Sequence, residues 1–141
     1  MGPACIVRTA AVPRAVEQVD DALARFWTRH ERVPEAIRLQ TGIAVAEIVA
    51  NIVEHGSGPT GVAWIEIGVA IHADHVVVVI ADDGTAADVD VHAADMPEDM
   101  LAERGRGLAM VKRLCDGLTH ERRDGRNLWT MTSKHFRPNR R

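Results

Sequence analysis

Several things are scarce or missing in this 141-residue sequence, and each narrows what the chain can do. Only two cysteines occur, Cys5 and Cys115. They show neither the paired spacing of a metal site nor a framework of bridges, so free thiols in a reducing cytosol are expected. Long hydrophobic runs are missing as well. The longest, Val76 to Ala81, is far shorter than the ~20 residues a bilayer requires. The N-terminus carries no apolar stretch followed by a small-residue cleavage site, so export is not expected and a cytoplasmic location is. Basic charge is not in excess: 17 Lys and Arg stand against 20 Asp and Glu, a net charge of -3, which argues against general nucleic-acid binding. No strand followed by Gly-x-Gly-x-x-Gly opens the chain, which excludes a Rossmann fingerprint, and there is no Walker A sequence. No internal repeat is present. What remains is 46% hydrophobic, with a mean hydropathy of -0.10. That suits one globular domain over residues 1–141 with a sizeable core.

Periodicity then orders the chain. Cys5 to Thr9 reads as a short strand. Pro13 suits a first helical turn, and Val16, Val19, Leu23 and Phe26/Trp27 recur at helical spacing as far as His30. Pro34 opens a second helix that runs to about His55, where Gly56-Ser-Gly-Pro59 stops it. Gly61 to Ile71 alternates as a half-buried strand, Ala73-Asp74 turns, and Val76 to Ile80 forms a buried partner strand. Thr85 to Glu103 has no strong period and reads as a long loop, a lid. Leu108 to Cys115 reads as a third helix stopped by Asp116-Gly117. Leu118 to Arg122 and Leu128 to Ser133 form a hairpin through Asp124-Gly125. The basic residues His135 to Arg141, 136–141 above all, are expected to fray. The predicted class is α/β: a two-layer sandwich whose mixed, mostly antiparallel sheet carries its helices on one face.

Chemistry concentrates in three places. In the second helix, Glu47, Asn51 and His55 lie four apart and share a stripe, beside Ile43, Ala44, Ile48, Ile52 and Val53, which should face the core. Buried polar groups need partners or a ligand. Asp82-x-Gly84 closes the buried strand; a carboxylate there is a turn residue or an acceptor for an exocyclic amine such as adenine N6, and Gly84 lets a flat ring approach. Gly105-x-Gly107, flanked by Arg104 and Arg106, precedes a helix, where backbone N–H groups form a natural anion site. Asn51 can offer a neutral oxygen to Mg²⁺, and Glu47 one turn earlier can act as a general base. Each feature alone is weak; together they compose a nucleotide site.

With these residues in place, the chain resembles the GHKL superfamily. Glu47-x3-Asn51-x3-His55 is similar to its N box, Asp82-x-Gly84 to its G1 box, and Arg104-Gly-Arg-Gly-Leu-Ala-Met-Val111 to its G2 box. Within that group the resemblance runs closest to anti-sigma-factor serine-protein kinases of the RsbW/SpoIIAB type and covers nearly the whole chain. The resemblance implies a Bergerat ATP-binding fold with ATP and Mg²⁺ as cofactors. It implies Asn51 as metal ligand, Glu47 as presumed base and Asp82 as the adenine acid. Gly105 and Gly107 would close over the phosphates, with His55, Gly84, Arg104, Arg106 and Asn127 also at the nucleotide. It further implies a homodimer, a STAS-type anti-sigma-factor antagonist as phosphoacceptor, and a sigma factor as alternate partner. Three departures stand out, one of them Asn127 in a position where a Thr near the adenine is frequent. Ala86 occupies a second G1 glycine position, and Thr85-Ala-Ala-Asp88 lacks an aromatic-Asp-Pro segment. Two rivals remain: an ATP-binding module that sequesters without phosphorylating, and a scaffold that has lost nucleotide.

Overall fold

The computed structural model describes residues 2–55, 64–84 and 103–140, with side chains at 55 and 103–106 left aside. In chain order the elements are β1 (Ala4–Ala10), α1 (Ala15–Thr28), α2 (Glu35–His55), β2 (Trp64–Ile71), β3 (Val76–Asp82), α3 (Glu103–Leu114), β4 (Cys115–Arg123) and β5 (Arg126–Ser133). The strands form one sheet in the order β1-β2-β3-β5-β4, and every neighbouring pair is antiparallel. The expected two-layer α/β sandwich is what forms.

Strand alternation decides which face is covered. On β2, Ile65, Ile67 and Val69 are buried; on β3, Val76, Val78 and Ile80; on β5, Trp129 and Met131. These pack against Val19, Leu23 and Trp27 of α1 and Ala44, Val45, Ile48, Val49 and Ile52 of α2 in one core. Removing a side chain such as Ile48 from this core costs about 2–5 kcal/mol. The β4–β5 turn is set by Asp124 and Gly125, both at positive φ (52° and 75°), the two-residue hairpin geometry that matches strand twist.

Three expectations need correction. Ile43 does not face the core; it is 42% exposed, and Leu39 one turn earlier is 64% exposed. Helix α2 is apolar nearly all round, so periodicity could not select its inner face. By length and composition it would even suffice to cross a membrane, yet its inner side is the centre of the core. Second, α3 begins at Glu103 rather than Leu108, so the glycines lie within its first turns. It ends at Leu114, within a residue of the expected stop, and runs straight into β4, where Asp116 forms a bulge marked by the register shift between Cys115 and Gly117. The Cys115 thiol takes up the helix end by donating to Val111 O at 3.0 Å. Third, the C-terminal segment is tied down rather than frayed. Phe136 N donates to Asp74 O at 2.9 Å, Asn139 N donates to Arg32 O at 2.7 Å, and the Phe136 ring packs on the core. The basic character of the tail hid that single aromatic anchor.

Candidate functional site

The end of β3 carries a buried acid. Alternation puts Asp82 on the same face as Val78 and Ile80, under the helical layer, and it is 2% exposed. An ionised carboxylate cannot be buried there without donors. Three are supplied. Gly84 N–H reaches Oδ1 at 2.9 Å, Asn127 Nδ2 reaches Oδ1 at 3.0 Å, and the Trp129 indole reaches Oδ2 at 3.4 Å. A carboxylate offers about four acceptor positions, so Oδ2 keeps capacity for one more N–H group.

Neighbouring strands brace this end. Asn127 lies directly opposite Asp82 in the β3–β5 register. A His120 ring nitrogen lies 3.1 Å from Asn127 Oδ1, and Arg122 Nη1 donates to Gly84 O at 2.7 Å. His120, Arg122 and Trp129 were not singled out from sequence as site residues. The available signal was their alternation along β4 and β5, but it acquires meaning only once β5 is known to lie beside β3.

A second polar cluster lies between α2 and α3. Glu47 is half-buried, and its carboxylate rests against Gly107. A Cβ built on Gly107 would stand 2.8 Å from both Glu47 Cδ and Oε2, so only glycine leaves this side chain its position. One turn further on, Asn51 is 7% exposed, and its side-chain nitrogen is buried with no hydrogen-bond partner. Arg38 Nε and Thr41 Oγ1 share that state, but they lie ten or more residues back along the helix, about 15–20 Å away. An orphaned buried amide at the foot of a carboxylate is a feature that a ligand would complete. The amide can present either nitrogen or oxygen after a flip, so Asn51 fits an oxygen-seeking ion such as Mg²⁺.

The structure thus joins Glu47 to Gly107, and Asp82 to Gly84 and Asn127, with Asn51 buried beside the first pair. The side chains of His55, Arg104 and Arg106 lie outside the described residues, as does the expected lid with Ala86; of Gly105 only its place in α3 is given. Two cavities bounded by described residues lie elsewhere. One is on the open face of the sheet by Glu66 and Val79, and one is beside Arg29 and Val33.

Comparison with known proteins adds three findings. Residues 9–133 match the family model of the histidine kinase-like ATPase domain. The serine-protein kinase RsbW of Oceanobacillus iheyensis is 31% identical over 81 residues, 52% of this chain and 51% of that protein. The match therefore spans about half the length of that curated relative. The fold is shared with a chain in the crystal structure of the SiaB–SiaC complex from Pseudomonas aeruginosa, with a TM-score of 0.58 at 17% identity, over 93% of this chain and 91% of that one.

Proposed function

The chain belongs to the histidine kinase-like ATPase domain family, and on that premise we propose that it is an ATP-dependent serine-protein kinase working as a partner switch. In this reading it holds a sigma factor in one state. In the other it phosphorylates a serine of that factor's STAS-type antagonist, as a cytoplasmic homodimer. The observation that carries the reading is the Glu47 carboxylate seated on Gly107, with the unpartnered Asn51 amide one turn away. The similarity to a protein named as a serine-protein kinase supports it.

Each residue has a definite task. The open acceptor position on Asp82 receives an N6–H of adenine, and Gly84 gives the ring room. Asn51 would hold Mg²⁺ through its side-chain oxygen; when bound, that ion neutralises phosphate charge. Glu47 accepts the proton of the attacking serine hydroxyl, as a positioned carboxylate base does. The serine oxygen bonds to the γ-phosphorus while the β–γ bridging oxygen leaves with ADP. The first turn of α3 lends its free backbone N–H groups to the phosphates, with Gly105, Gly107, Arg104 and Arg106 assigned to this region from sequence. The product phosphoserine brings roughly two negative charges to the antagonist surface, which ejects it from the complex and frees the kinase to take up the sigma factor.

The test is transfer of labelled phosphate from ATP to a serine of the cognate antagonist. Wild-type protein should transfer it, and Glu47→Gln should lower the rate by about 10²-fold or more while leaving nucleotide binding intact. ATP binding without transfer would favour sequestration alone. No binding of MgATP would refute the nucleotide site itself.

A further inference from the structure

Far from Asp82, at the opposite end of β3, three metal-capable side chains converge. The β2–β3 turn is closed by His72 N donating to His75 O at 2.8 Å, which fixes Asp74 and His75 at its tip. The chain leaving β5 is drawn to the same turn by the Phe136 N to Asp74 O bond, and this sets His135 beside it. One ligand atom from each of Asp74, His75 and His135 then lies within 4.8 Å of the others.

We propose that Asp74, His75 and His135 form a binding site for a divalent transition-metal ion, with zinc the preferred occupant. The donor set is two imidazoles and a carboxylate, which suits zinc and its neighbours rather than the all-oxygen preference of Mg²⁺ or Ca²⁺. Ligands around a tetrahedral zinc at 2.0–2.1 Å stand about 3.3 Å apart. Two of the three pairs straddle that value, each through a different oxygen of Asp74: Oδ1 to His75 Nδ1 is 2.8 Å, and Oδ2 to His135 Nε2 is 3.9 Å, while the two imidazoles come within 4.8 Å. Small side-chain rotations would bring these atoms to coordination distance, with the backbone left in place.

The surroundings have the form that metal sites use. Asp116 Oδ2 lies 2.9 Å from His135 Nδ1. A proton on Nδ1 shared with that carboxylate leaves the lone pair on Nε2, 3.9 Å from Asp74 Oδ2, available to a metal, the carboxylate–histidine arrangement that orients a ligating ring. His72 stacks on His75 with ring centroids 4.5 Å apart and steadies the second imidazole. Asp74 and His135 are well exposed, so a fourth position is open to water or to a group from a partner. The competing account is an exposed ion-pair cluster, and such pairs contribute at most about 1 kcal/mol.

The site is separate from the nucleotide chemistry. Seven residues of β3, about 20 Å of strand, run from Val76 to Asp82. Its effect would be mechanical: a metal there ties the β2–β3 turn to the segment beyond β5, and any ligand that binds only the folded chain stabilises it.

The experiment uses tag-free protein titrated with zinc chloride by calorimetry, followed by thermal unfolding. One equivalent should bind and raise the midpoint. His75→Gln/His135→Gln should lose at least ~100-fold in affinity and show no zinc-induced shift, with circular dichroism unchanged. Asp116→Asn, a positioning change, should weaken binding about 10- to 100-fold without abolishing it. MgATP affinity should be the same with and without zinc. The proposal is overturned if no saturable one-to-one binding occurs, or if the double variant binds zinc as wild type does.

Discussion

Replacing Asp82 by Asn keeps the shape of the side chain and removes its charge and one acceptor. In the structure Oδ1 receives Gly84 N–H and Asn127 Nδ2, and Oδ2 receives the Trp129 indole. The amide oxygen of the variant would keep the two donors at Oδ1. Its nitrogen would then face the indole N–H, donor against donor. An orphaned buried donor costs about 1–3 kcal/mol, and the 3.4 Å separation places this one near the low end. The two surviving bonds lose their charge assistance, roughly 1 kcal/mol each. No longer burying a charge offsets part of this. A net loss of about 2 kcal/mol remains, a drop of about 1 M in the urea midpoint for a chain of this size. Urea unfolding followed by tryptophan fluorescence reads that loss, and MgATP titration of the folded variant reads the second effect. There the free acceptor has become a donor, and ATP should bind about 100-fold more weakly or worse. An unchanged midpoint refutes the hydrogen-bond account of Asp82. A lowered midpoint with unchanged ATP affinity refutes its role at adenine.

Gly107→Ala should be nearly neutral in urea, because about 1 kcal/mol of helix propensity gained offsets the displacement of Glu47. Phosphate transfer should still fall about tenfold or more, since the carboxylate must retreat by roughly 0.6 Å; unchanged transfer would detach Glu47 from the chemistry. Asn51→Ala should abolish the MgATP-dependent rise in thermal midpoint while costing the free protein little, because it deletes a buried nitrogen that has no partner. A retained MgATP shift would remove Asn51 from the metal. Both thiols should be sluggish toward Ellman's reagent at pH 7.5. Desolvation raises Cys115 and Cys5 above the ordinary thiol value of 9.0, with Glu66 adding to it at Cys5, so both stay protonated. Reactivity of exposed Cys5 should climb as pH rises toward and past 9, whereas Cys115 should react only on unfolding; rapid reaction of both at pH 7.5 would contradict this.

Much of the frame was legible because local chemistry agreed with the fold. Asp124-Gly125 dictated a hairpin that the positive φ angles bear out, and the apolar run from Val76 could only be a buried strand. The stripe Glu47, Asn51 was readable because a helix has a fixed pitch. The rest depended on information that sequence order hides. Asp82 meets Asn127 because β5 inserts between β3 and β4, a non-sequential pairing, so the bracing by His120, Arg122 and Trp129 had no local signature. The glycines of Arg104-Gly-Arg-Gly107 suggested a loop. They sit inside α3 because Gly107 serves helix packing against Glu47 rather than a turn. Ile43 misled because a helix apolar on most sides gives no unique inner face.

The two polar clusters also differ in what they do to the unliganded fold. Asp82 is fully integrated: two of its donors come from β5 and the third from Gly84 just past the end of β3, and the cluster holds β3, β4 and β5 in register at one end. Such a residue adds stability before any ligand arrives and offers a rigid acceptor, so under the proposed function little entropy would be lost when a base docks. Asn51 does the reverse. Its buried nitrogen lacks a partner and lowers stability by roughly 1–3 kcal/mol until something completes it. A helix can carry such a group where a sheet end cannot, because the core on its other side, with Ile48, Val49 and Ile52, exceeds that cost. Under the proposed function this becomes a division of labour set by architecture: the sheet end would supply a preformed recognition edge, and the helix pair would hold the Glu47 carboxylate and the Asn51 amide, whose completion would couple ligand binding to the packing of α2 on α3.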